Sequence, residues 1–72
     1  MHIPKLTYED HVRSILWEAD GPMAAREIAR AVWLRTQYDE DIYGVISRMA
    51  TLQILRRDWL PDGTPVYHLR GA

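Results

Sequence analysis

Apolar residues recur at helical spacing in three stretches of the chain and at strand spacing in two shorter ones near its C-terminus. The clearest stretch runs from Asp39 to Arg57, DEDIYGVISRMATLQILRR. Ile42, Val45, Ile46, Met49 and Leu52 fall at i, i+3, i+4, i+7 and i+10, so they share one face of a helix, and such a stripe must be buried. Glu40, Tyr43, Gly44, Ser47, Arg48 and Thr51 are left for the second face. Asp39 is placed to cap the start of this helix, after a polar turn over Thr36–Glu40.

Upstream, Met1–Leu6 reads as a short arm in which Pro4 prevents an early helix. Thr7 is a good N-cap, its hydroxyl set to accept from the amide of Asp10. The first helix then runs to about Ala19, burying Tyr8, Val12, Ile15, Leu16 and Ala19 and leaving Glu9, Asp10, Arg13 and Glu18 in solvent. Trp17 lies off that stripe, as a half-buried rim aromatic or as an anchor for a partner. Asp20-Gly21-Pro22 ends the helix, with the glycine expected in a left-handed C-cap. A very short strand over Pro22–Ala24 leads into a second helix, AAREIARAVWL, with Ile28, Ala29 and Val32 inward and Arg26, Arg30 and Arg35 outward. Met23 and Met49 read as core filler.

After the third helix, Ile54–Trp59 alternates as a strand with Leu55, Arg57 and Trp59 on one side. Leu60-Pro61-Asp62-Gly63-Thr64-Pro65 has turn chemistry throughout, and Val66–Arg70 returns as a strand with Tyr67 and Leu69 toward the core. The pattern therefore predicts an α+β domain of three helices and a C-terminal hairpin, spanning residues 1–72 as one unit.

Seventy-two residues is near the size at which one core only just outweighs chain entropy, which leaves little room for an enclosed catalytic cavity. A binding module is the expectation. No cysteine is present, so neither disulfides nor thiolate zinc sites staple the fold, and packing of the 47% hydrophobic residues must hold it. A cysteine-free chain without an apolar run of membrane-spanning length fits a soluble protein of a reducing cytoplasm. His2, His11 and His68 lack metal-ligand spacing, and there is no glycine-rich phosphate loop, nucleophile elbow or HExxH helix. No enzyme activity, metal or cofactor is expected.

The net charge of −1 argues against bulk coating of nucleic acid. The middle of the chain is different: Pro22–Arg57 holds six arginines against four acids, a balance of +2. Eight of the nine basic residues are arginine, whose planar fork suits phosphates and guanine edges.

Helix, short strand, helix, turn, helix and hairpin follow the order of a winged helix-turn-helix domain, and GPMAAREIA, DIYGVISRMATLQILRR and the closing YHL resemble its corresponding segments over nearly the whole chain. Small bacterial, archaeal and phage transcriptional regulators are built this way. The resemblance implies that the third helix enters the major groove of double-stranded DNA, with the hairpin wing on the flanking backbone or minor groove. By position, Glu40, Tyr43, Gly44, Ser47 and Arg48 would face the groove, and Arg26, Arg30, Arg35, Arg56 and Arg57, with Arg70 as a further candidate at the wing, would lie near phosphates. Arg48 could bridge guanine O6 and N7 or hold a phosphate, Ser47 could donate to either, and Tyr43 could meet a thymine methyl. The resemblance also implies a glycine before the wing, where this chain has Gln53.

A second reading stays open. Asp39, Glu40 and Asp41 stabilise the dipole of the third helix but repel a duplex, and together they resemble a surface for a basic protein partner. In that case the exposed aromatics Trp17, Trp33 or Trp59 complete the contact. Gly44 either lets another backbone come close or is a tolerated surface or helix-contact glycine. A homodimer reading two half-sites would offset the weak positive charge.

Overall fold

The computed structural model describes residues 6–37 and 40–70. Three helices, α1 (Tyr8–Glu18), α2 (Ala25–Thr36) and α3 (Ile42–Thr51), precede two strands, β1 (Leu55–Trp59) and β2 (Pro65–Leu69). The strands form a two-stranded antiparallel sheet, an α+β layout consistent with a winged helix. The first five residues of the expected Met1–Leu6 arm and the Asp39 cap lie outside the described residues.

α1 starts where its sequence says it should. The amide of Asp10 donates to Thr7 Oγ1 at 3.2 Å, and the Thr7 amide donates to Asp10 Oδ2 at 2.9 Å, a reciprocal capping box. That bond to the Thr7 amide also holds the Asp10 carboxyl below its ordinary pKa. The other end differs from expectation. Ala19 leaves the helix in an extended conformation, and Gly21 is not among the residues with positive φ. Pro22 and the extended backbone before it stop the helix without a left-handed cap.

The expected strand at Pro22–Ala24 contracts to one bridge. Met23 and Tyr67 exchange both backbone hydrogen bonds, at 2.9 and 2.8 Å, which stitches the connection between α1 and α2 to β2. α2 continues two residues past Leu34 and stops at Gln37, whose left-handed backbone (φ 58°) lets its amide donate to Trp33 O at 2.8 Å.

The N-cap position of α3 is held by Asp41, which makes no side-chain capping bond. At the far end, Leu52 was expected on the buried stripe but is 61% exposed. The helix has already ended there. Gln53 takes φ 62° and the amide of Ile54 donates to Met49 O at 2.9 Å, the long bond of a Schellman turn, so Leu52 swings outward and Ile54 takes the inward place. A non-glycine residue in this left-handed conformation costs about 1–2 kcal/mol.

Leu60 and Thr64 close the hairpin loop, Gly63 adopts φ 91°, and Asp62 Oδ1 accepts from the Thr64 amide at 2.9 Å. The core brings together Val12 and Leu16 of α1, Ile28 and Val32 of α2, Ile46 and Met49 of α3, and Leu55 and Tyr67 of the hairpin. Met23, Ala29 and Leu69 are only partly buried against it, and Ala19 is half-buried.

The two faces of α3 carry different energetic weight. Ile46→Ala removes a side chain that is 1% exposed and should lower unfolding free energy by about 2–5 kcal/mol. Ser47→Ala, on the exposed face, should change it by no more than about 0.5 kcal/mol. Urea unfolding of both variants checks the contrast.

Candidate nucleic-acid interface

Burial divides α3 as its spacing requires. Ile42, Val45, Ile46 and Met49 are buried, while Tyr43, Gly44, Ser47, Arg48 and Thr51 are exposed, with Glu40 and Asp41 exposed just before the helix. Tyr43 projects with 68% of its surface accessible. The apolar face packs on the other two helices and the hairpin, so the polar face can only point outward.

Arg48 is the only charged side chain within Ile42–Thr51, and it is not free: its guanidinium pairs with Glu9 of α1. Both side chains are partly or largely exposed, so the pair is worth about 0.2–1 kcal/mol and can open cheaply. With Arg48 balanced, the carboxylates of Glu40 and Asp41 stand exposed just before this face.

The six arginines do not act as one set. Arg35 turns back onto α1, where it donates to Ser14 Oγ at 3.0 Å and to Glu18 Oε2 at 2.6 Å. In this structure it ties α2 to α1, and a phosphate contact by Arg35 would compete with Glu18. Arg26 and Arg30 are exposed, one helical turn apart on the same side of α2, and neither has an ion-pair partner among the described residues. Arg56 and Arg57 were grouped at the wing, but the strand pleat sends them to opposite faces of the hairpin. Arg57 shares a face with its register partner Tyr67 and lies 5.3 Å from that ring's centroid, a cation–π contact. Arg56 is opposite His68 on the other face. At the loop, Asp62 is the charged residue, and its bond from the Thr64 amide holds its carboxyl low, so the tip is negative.

Gly44 lies beneath the Asp41 side chain. A Cβ built there would sit 2.8 Å from Asp41 Oδ2 and 3.3 Å from its Cγ. Among the described residues the nearest atoms all belong to Asp41, so the neighbour that the glycine accommodates there is a short side chain that forms no capping bond.

Residues that sequence reasoning missed are the partners: Glu9 for Arg48, Glu18 and Ser14 for Arg35, and Asp58, whose Oδ2 lies 3.0 Å from His68 Nε2 across the hairpin. The first two pairs join residues 39 and 17 positions apart, and no local signal announces them. Among the described residues no group of three metal-ligating side chains converges, and no helix is long and apolar enough to cross a membrane. In comparisons with protein families, curated proteins and solved structures, the chain matches none.

Gly44→Ala separates two roles for that glycine. Because the Asp41 carboxylate can rotate away without losing a hydrogen bond, the alanine should raise stability by about 0.5–1 kcal/mol through helix propensity. If a duplex backbone approaches at Gly44, the same variant should weaken DNA binding, and thermal unfolding beside a binding assay reads both.

Proposed function

We propose that this domain binds double-stranded DNA through the exposed face of α3 and acts as a transcriptional regulator in the cytoplasm. The observation that carries this reading is the division of α3: a fully buried apolar stripe backs a solvent-facing row of Tyr43, Gly44, Ser47 and Arg48, on a helix followed directly by a hairpin. A helix about 10–12 Å across, anchored from behind, fits a major groove of similar width. Arg48 reads a guanine edge or a phosphate once released from Glu9, Ser47 donates beside it, and Tyr43 packs on a thymine methyl or a sugar. Arg26 and Arg30 supply phosphate contacts from α2, and Arg56 or Arg57, not both at once, does so from the hairpin. Pairing of two copies would add a second half-site and raise the effective affinity of a chain with so little net positive charge.

The second reading, a module that binds a basic protein surface, draws support from one specific observation. Glu40 and Asp41 are exposed at the start of α3, while the cation that follows them is already balanced by Glu9. Exposed Trp33 and Trp59 would extend such a contact.

Fluorescence anisotropy with a labelled duplex of random sequence separates the two readings. DNA binding predicts an affinity that falls steeply as salt rises. It also predicts weaker binding by Arg48→Ala and binding about two- to fivefold tighter by Glu9→Gln, which frees Arg48 from a surface ion pair. Salt-independent or absent binding, with no response to either substitution, overturns the DNA reading and leaves the protein-partner reading.

A further inference from the structure

Away from the polar face of α3, an open groove of about 510 Å³ lies between α1 and the base of the hairpin. Arg13, Ser14 and Trp17 line one side, Gln53 and Ile54 lie at the junction of α3 and β1, and Leu69 and Arg70 close it at the end of β2. Its floor is apolar: Ile54 and Leu69 are only partly buried and pack on the core from this side. None of its lining residues belongs to the polar face of α3 or to the arginines of α2 and β1 discussed above.

Three features of the groove point to one kind of occupant. The first is charge. Arg13 and Arg70 are exposed, and neither has a carboxylate partner among the described residues, whereas Arg35 and Arg48 fold back on Glu18 and Glu9. Asp10, one turn before Arg13, senses its charge, but that carboxylate is bound to the Thr7 amide. Two exposed guanidiniums with no carboxylate partner among the described residues, beside an apolar floor, favour a ligand that is both anionic and apolar.

The second feature is Trp17, which is 73% exposed on a chain of only 72 residues. Tryptophan is the side chain most enriched at binding hot spots, because one rigid indole covers a large apolar area. The third is extent. Trp17 and Leu69 also line a second groove of about 500 Å³, bounded by Ala19, Asp20, Pro22 and His68, so the depression continues past the indole. Two adjoining open grooves that share Trp17 and Leu69 suit an extended segment, whereas a small molecule is commonly held in an enclosed pocket.

We propose that this groove docks an acidic peptide segment of a partner protein. An apolar side chain of the segment rests on Ile54 and Leu69 against the Trp17 indole, and its carboxylates engage Arg13 and Arg70. The chain continues past Trp17 toward Asp20. Apart from Arg70, which the winged-helix resemblance also sets near phosphates, the groove shares no residue with the DNA contacts proposed above, so the docking would let the domain hold a protein while its α3 face is occupied.

The test is a selection from a library of short random peptides against the whole domain, followed by titration of the enriched peptides into isotopically labelled protein. The expected peptides carry carboxylates flanking an apolar residue and shift the resonances of Arg13, Trp17, Gln53, Ile54 and Arg70. Their affinity should drop by about tenfold or more in the Arg13→Glu/Arg70→Glu variant, whose amide spectrum reports that it is folded, and should persist in Arg26→Glu/Arg30→Glu. A selection that returns no binding peptide, peptides without carboxylates, shifts outside the groove, or equal losses in both charge-reversed variants overturns the assignment. DNA affinity is measured separately, so neither result decides the other.

Discussion

The burial of Ile42, Val45, Ile46 and Met49 against the other helices and the hairpin fixes which way α3 faces, and most of the molecule follows from that. A domain this small has one core, so every element must give its apolar side to it. α1 and α2 do so with Val12, Leu16, Ile28 and Val32, and the hairpin does so with Leu55 and Tyr67. Once the stripe is buried, Tyr43, Ser47 and Arg48 have nowhere to point but outward. The Schellman turn at Gln53 then carries the chain directly from the end of α3 into β1, placing the hairpin beside the helix.

Local chemistry made much of this legible. Thr7 and Asp10 form a capping box three residues apart, a bond that depends on nothing distant. The spacing of Ile42, Val45, Ile46 and Met49 matched their burial, and the turn residues at 60–64 matched the hairpin loop. Errors arose where backbone geometry overrode residue type. Gly21 was expected to be left-handed, but Ala19 had already become extended, whereas two glutamines took the left-handed places at 37 and 53. Leu52 continued the stripe in sequence, yet the helix ended one residue before it.

The charge arrangement was the least legible part. Arg35 and Arg48 were both expected at a duplex, because sequence shows charge but not partners. Folding brings Glu18 to the first and Glu9 to the second. Alternation along β1 splits Arg56 from Arg57, and Tyr67 captures the latter. What remains is a weakly charged face whose cation is held by an exposed ion pair of small worth. Any duplex contact must therefore compete with Glu9 for Arg48 and tolerate Glu40 and Asp41, which makes affinity unusually dependent on fit and on ionic strength.

Contact between DNA and the outward face of α3 is tested most directly by an NMR titration of the labelled domain with a generic duplex at low and then moderate salt. If α3 carries the contact, amide shifts concentrate at Tyr43, Gly44, Ser47 and Arg48, with smaller ones at Arg26, Arg30 and the hairpin arginines, all fading as salt rises. Shifts confined to other surfaces, or none that respond to salt, would contradict it.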